Sequence, residues 1–302
     1  YYMPYATSLR MSDLGYTSAE QSSLKICYNQ LDNYVRLLRG AMDTPSNRFS
    51  SFAAGDGGNY QQLSRNILQI ENELYSPIRP KQPTQSMEKP TDALVKRGIS
   101  YIEVRALDVN PFSPIGISQT QFDFLDVFLL TCLLKPSAEL DEAQLNEAKD
   151  NMNRVVLEGR KPNLALIRDN EETTLTAWAS SLFDEFEQVA EILDLANDTT
   201  RYSDAVAAES MKVANPGLTP SGVLLEELLK HDKDNGVYGL ELAARYQEQM
   251  KGFAYQQTTE AMFTEAAETS LAAQADVEAA DTKDFDSFIR DYFNEPLAKK
   301  NA

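Results

Sequence analysis

LQIENELYSPIRPK, residues 68–81, and YIEVRALDVNPFSPIG, residues 101–116, decide how this chain is read. Successive side chains on a strand point to opposite faces. Read as a strand, the first segment puts Leu68, Ile70, Asn72 and Leu74 on one face and Gln69, Glu71, Glu73 and Tyr75 on the other. The second puts Ile102, Val104 and Ala106 on one face and Tyr101, Glu103 and Arg105 on the other. A sheet with one apolar face turns its other face to water. Here that other face carries Glu, Arg and Tyr, groups suited to metal, phosphate and carboxylate. The same pattern also fits a solvated face crossed by salt bridges, because cross-strand ion pairs are common.

Ser76 to Pro90, between the two segments, holds Pro77, Pro80, Pro83 and Pro90. That density predicts a long irregular connection, neither helix nor central strand. Upstream, residues 1–16 read as extended or loop-like. Ser18 to Gln21 resembles a capping box for a helix carrying Leu24, Cys27, Tyr28, Leu31, Tyr34, Val35, Leu38 and Met42 at helical spacing. Residues 54–59 read as a turn. From Ser118 onward helix signals dominate. The spacing predicts a buried apolar helix over 121–135, stopped by Pro136, and amphipathic helices over 139–158, 176–196 and 202–213. Thr219-Pro220 opens another to about Lys230. A long helical region follows over 238–280, with Gly252 as an interruption, and then a short helix over 284–293. The class is therefore α+β. Residues 1–118 form the sheet portion, and residues 119–302 the mainly helical portion of the same domain.

The 302 residues are 42% hydrophobic and 25% charged, an ordinary globular composition. The net charge of −18 is unevenly spread. Residues 171–302 hold 26 acidic and 10 basic side chains, whereas residues 1–170 hold 20 and 18. The acidic half repels nucleic acid and anionic membranes, and no run reaches the length of a membrane span. The opening YYMPYATSLRMSDLGY has no basic stretch followed by an apolar core, so it is no signal peptide. It also lacks the polar character of a fraying terminus, which predicts further chain upstream. Cys27 and Cys132 sit in apolar helical contexts and read as small buried hydrophobes in a reducing compartment, consistent with the cytoplasm. The single histidine, His231, follows an apolar run and fits a helix C-terminus. One histidine argues against Ser-His-Asp or Cys-His chemistry within the chain, and no Cys/His spacing suits zinc.

The blocks YATSLRMSDLGY (5–16), NILQIENELYSPIRPK (66–81), GISYIEVRALDVNPFSPIG (98–116) and NRVVLEGRKP (153–162) closely resemble the proteobacterial glutamate–cysteine ligases, in the same order and at similar separations. The resemblance covers essentially the whole chain and about the C-terminal three-fifths of such an enzyme. The late helices match mainly by position. It implies a glutamine-synthetase-like fold, with an antiparallel sheet curved into a funnel and helices outside. It also implies a ligase that joins the side-chain carboxylate of glutamate to the amine of cysteine, the first step of glutathione biosynthesis. ATP is the co-substrate and Mg2+ the cofactor, and the glutamate carboxylate is phosphorylated before the amine attacks. In the family's pattern Glu103 matches a magnesium ligand and Arg105 a residue at the transferring phosphoryl group. Arg10 matches a residue that holds cysteine or its product through the carboxylate, and Tyr16 and Tyr75 match walls of the same pocket.

The chemistry of the residues agrees. A carboxylate oxygen is a poor leaving group and must first become phosphate. Phosphoryl transfer then needs positioned cations. Magnesium favours hard oxygen ligands, and arginine presents a fork of N–H donors to anions. Glu71 and Glu73 either stand behind the ligands or line the funnel wall. Arg79 and Lys81 either reach nucleotide phosphates or solvate the proline-rich loop, the loop being preferred. Arg160 and Lys161 complement a helix end. The family's other magnesium carboxylates, its histidine and further phosphate-binding cations lie in the part before Tyr1, so this chain alone is expected to be an incomplete catalyst needing that part. A related ligase with another amine acceptor, and a non-catalytic scaffold or regulatory chain, remain as alternatives.

Overall fold

In the computed structural model, the structure of the protein is described for residues 2–56 and 58–294. Tyr1 and Gly57, which fall in the stretches read as loop and turn, lie outside the described residues. The elements, in order, are α1 (Leu31–Met42), β1 (Ala54–Asp56), β2 (Asn59–Tyr60), β3 (Ile78–Lys81), α2 (Pro90–Arg97), β4 (Tyr101–Val104), α3 (Gln119–Leu134), α4 (Glu142–Glu158), β5 (Ala165–Arg168), β6 (Glu171–Thr174), α5 (Leu175–Asn197), α6 (Arg201–Ala214), α7 (Pro220–Lys230), α8 (Asn235–Lys251), α9 (Glu260–Ala280) and α10 (Phe285–Asn294). Among the described residues the strands form separate two-stranded sheets, β1–β2, β3–β4 and β5–β6, and no continuous curved sheet. The mixed α+β class holds.

The chain divides into two units, each assembled from separated stretches. One joins the N-terminal residues up to Ala19, Tyr75–Arg79 and Val104–Leu242; the other joins Glu20–Leu74, Pro80–Glu103 and the residues from Ala243 on. The core of the first lies between α3, α5 and α6. Val127, Phe186, Val189, Ala190, Tyr202 and Val206 are buried there, and Phe124 stacks on Phe183 at 5.6 Å. In the second, Tyr34, Val35, Leu38 and Ala41 recur on one face of α1 at helical spacing and pack with Leu68, Leu74 and Leu94.

The segment 68–75 is not a strand. It contains a 3-10 turn at Glu71–Glu73, and its buried residues, Leu68, Glu71 and Leu74, recur every third position, as that turn requires. Glu73 folds back, its carboxylate accepting the Gln69 N–H at 2.7 Å. The proline-rich connection is more ordered than its composition suggests. Pro80 lies inside β3, which a two-stranded sheet tolerates because every strand is an edge. Pro90 starts α2 as its first residue, where proline is favoured. In β4 the apolar residues Ile102 and Val104 are 47% and 39% exposed while Glu103 is half-buried, so the anticipated apolar face is not the covered one.

Among the helices, α1 starts at Leu31, seven residues after the first apolar position, and residues 19–21 form only a 3-10 turn. The apolar helix α3 is capped by a Ser118–Gln121 box and buries Asp123, Val127 and Thr131 along one face. Phe122, Leu133, Leu134 and Cys132 are exposed, correcting the reading of a fully buried helix and of Cys132 as core. The hairpin β5–β6 had no counterpart in the sequence reading. Its two-residue turn, Asp169–Asn170, has φ of 55° and 64°, the pair of positive values that a type I′ turn requires. Gly252 separates α8 from α9, and His231 stands at the C-terminal cap of α7.

Candidate functional site

Tyr16 is the centre of the site in the first unit. The loop from Leu9 to Tyr16 folds back tightly, the Tyr16 N–H bonding the Arg10 carbonyl at 2.5 Å. Gly15 makes this possible, because a Cβ there would collide with the carbonyl oxygens of Leu9 and Arg10. The turn is pinned from outside by Asp108. Its carboxylate accepts the N–H groups of Leu9 and Arg10 at 3.0 and 2.8 Å and the hydroxyl of Ser8. A second anchor lies just upstream. The Thr7 N–H and hydroxyl donate to the carbonyls of Val156 and Val155 at the end of α4, at 2.9 and 2.6 Å. Arg160 donates from its Nε to the Ala6 carbonyl at 3.1 Å.

Around Tyr16 the structure gathers four side chains. The Tyr75 ring lies 4.5 Å away, tilted by 36°. The guanidinium carbons of Arg10 and Arg105 lie over the Tyr16 ring at 4.9 and 5.1 Å, a cation–π arrangement. Arg105 also donates to the Tyr16 hydroxyl, and Arg79 Nη2 donates to the same oxygen at 3.2 Å. Arg10 is turned by a bond from its Nε to the Arg105 carbonyl, and the Arg105 N–H is held by the Pro77 carbonyl at 2.7 Å. Three guanidinium groups and two aromatic rings thus converge within one unit. Such a cluster suits a small anion carrying a compact side chain.

Of the residues named from sequence, Arg10, Tyr16, Tyr75 and Arg105 are brought together. Glu103 belongs to the other unit, where Lys81 Nζ stands 3.7 Å from its carboxylate. Magnesium takes six oxygen ligands. Among the described residues no group of three His, Cys, Asp or Glu side chains stands close enough to hold a metal. The carboxylates here therefore do not make a magnesium site by themselves. Glu71 does not share a face with Tyr75. It is 3% exposed, and its carboxylate accepts the Thr91 N–H at 2.6 Å and the Thr91 hydroxyl, closing the N-terminus of α2. Burial pushes its carboxyl above the ordinary value, against the opposing bonds from Thr91 and the Arg39 charge. Arg79 is no loop residue but a buried member of β3. The signal that could have found it is Pro80, which holds the preceding residue extended.

A family model for glutamate–cysteine ligase matches residues 1–155. A glutamate–cysteine ligase from Shewanella halifaxensis is 44% identical over 292 residues, 97% of this chain and 56% of the relative. One from Shewanella oneidensis is 45% identical over 296 residues, 98% and 56%. The chain thus spans somewhat over half the length of these relatives. Among solved structures, a glutamate–cysteine ligase from Francisella tularensis in complex with AMP superposes with a TM-score of 0.85 at 37% identity, covering 96% of this chain and 57% of that one. A bifunctional glutathione synthetase from Pasteurella multocida shares the fold, with a TM-score of 0.59 at 19% identity over 82% of this chain. No helix among the described residues is long and apolar enough to cross a membrane.

Proposed function

The chain belongs to the glutamate–cysteine ligase family, and we propose that it carries the amine-acceptor pocket of an ATP-dependent ligase. The reaction joins the side-chain carboxylate of L-glutamate to the amine of L-cysteine, the first step of glutathione biosynthesis in the cytoplasm. The observation that carries this reading is the convergence of Arg10 and Arg105 on the faces of Tyr16, with Tyr75 alongside.

In this reading the Arg10 fork takes the carboxylate of cysteine, while Tyr16 and Tyr75 enclose its short thiol side chain. The amine is then held for attack on the activated glutamate carbonyl. Holding both partners in place converts an encounter in solution into a step within one complex. Attack breaks the bond from the carbonyl carbon to the phosphate oxygen and releases phosphate, and the amine loses its proton as the amide forms. Arg105 neutralises charge on the phosphoryl group. Glu103 would supply one carboxylate ligand to a magnesium ion, and that ion would offset charge on the phosphates. Sheet β3–β4 is read as part of a glutamine-synthetase-like curved sheet.

The test is Arg10→Lys in the full-length protein, with phosphate release measured against each substrate. Lysine keeps the charge and loses the planar fork. One charge-assisted bond is worth about 1.5–3 kcal/mol, so kcat/KM for cysteine should fall roughly tenfold to a hundredfold. ATP and glutamate should be spared. A loss that falls on ATP instead would defeat the pocket assignment.

A further inference from the structure

We propose that Arg79 is a positioning residue for the amine-acceptor pocket, acting through the Tyr16 hydroxyl; this rests on the reading of that pocket given above. Three guanidinium groups surround Tyr16, but they are not equivalent. Arg10 and Arg105 are half-buried and lie over the ring. Arg79 is 6% exposed and reaches the hydroxyl at the ring's far tip, at 3.2 Å. Its burial keeps it from solvent, whereas Arg10 and Arg105 are partly open to it.

The backbone beneath it is fixed. Pro80 confines Arg79 to extended geometry, and the Ser76 hydroxyl donates to the Ile78 carbonyl at 2.7 Å. A phenol oxygen has two lone pairs and accepts from both Arg79 and Arg105. Arg105, if it meets a phosphoryl group during turnover, has to share its donors with that group. Arg79, being buried, keeps its bond throughout and holds the ring while Arg105 works. A side chain that walls a pocket is only as well placed as the groups that lock it. Arg79 therefore sets the affinity for the amine acceptor without touching it.

Wild-type, Arg79→Met, Arg79→Lys, Tyr16→Phe and the Arg79→Met/Tyr16→Phe double variant of the full-length protein form the test. Phosphate release gives KM and kcat for cysteine, and thermal unfolding is followed for the same proteins. Arg79→Met and Tyr16→Phe should each raise the KM for cysteine by about tenfold, the scale of one charge-assisted hydrogen bond, with kcat much less affected. The double variant should be no worse than the poorer single, because both remove one contact. Arg79→Lys, which keeps a donor, should recover part of the loss. Single defects that multiply, or a defect of Arg79→Met confined to ATP, would overturn the assignment. Absence of cysteine-dependent phosphate release from wild type would instead defeat the functional reading. The unfolding temperatures then decide on Arg79: non-additive shifts support the contact and additive shifts overturn it.

Discussion

The carboxylate of Asp108 accepts the backbone N–H of Arg10 at 2.8 Å. With the Leu9 N–H and the Ser8 hydroxyl bound as well, one side chain fixes the turn from which Arg10 projects. Asp108→Ala should therefore raise the KM for cysteine, because the turn that presents Arg10 loses two backbone bonds to a charged acceptor, and Asp108→Asn should fall between. Kinetics against each substrate check this. Equal losses for ATP and cysteine would show that the turn serves the whole fold and not the pocket.

Gly15→Ala should destabilise the protein. The added Cβ has to displace the carbonyl oxygens of Leu9 and Arg10, and overpacking of this kind costs about 1–3 kcal/mol. A chemical denaturation series gives the difference directly. An unchanged midpoint would mean that residues 9–16 do not hold the tight turn.

Glu71 gives a pH dependence of defined sign. Its folded carboxyl titrates above its ordinary value because of burial, so the folded state favours the protonated form. The stability linked to this group is greatest below the unfolded value and is lost as pH rises through the raised folded one. Glu71→Gln removes the titration. The unfolding temperature of wild type relative to Glu71→Gln should fall as pH is taken from 4 to 8. Parallel curves would contradict the assignment.

Glu103→Gln should abolish or severely reduce ligation in the full-length protein while leaving it folded, because the amide keeps the shape and removes the charge. Rates at saturating magnesium and circular dichroism are read together. Near-normal turnover would remove Glu103 from the metal set.

Much of this site could be read from sequence because its residues sit in short, chemically distinctive blocks. Arg10, Tyr16, Tyr75 and Arg105 came from blocks whose order and spacing resemble one family. The helices from α3 onward followed from apolar spacing, and α7 also from its Thr219-Pro220 cap. Alternation failed at 68–75 because period two and period three both place Leu68 and Leu74 on the same side, and only Glu71 tells them apart. A buried carboxylate is a costly choice, legible only once Thr91 is seen to donate to it. The β5–β6 hairpin is hard to read because its turn, Asp169-Asn170, lacks the glycine of the strong Asn-Gly and Asp-Gly hairpin signals. The proline density around Arg79 points to a loop, whereas Pro80 directly after it points to extended backbone, which is what β3 has.

The stretches that meet at Tyr16 are far apart along the chain, and this sets an order of events in folding. Tyr16 and Arg105 are separated by 89 residues. At ribosomal speeds of about 5–20 residues per second, Arg105 emerges roughly 4–18 seconds after Tyr16. Until then the tyrosine has no partner from the third block; α3, α5 and α6 emerge later still and condense through nearer neighbours once made. Closing so long a loop carries an entropic cost that local helices avoid. On refolding, the helical circular dichroism signal should therefore return first, and the capacity to bind the small amino acid should lag behind it.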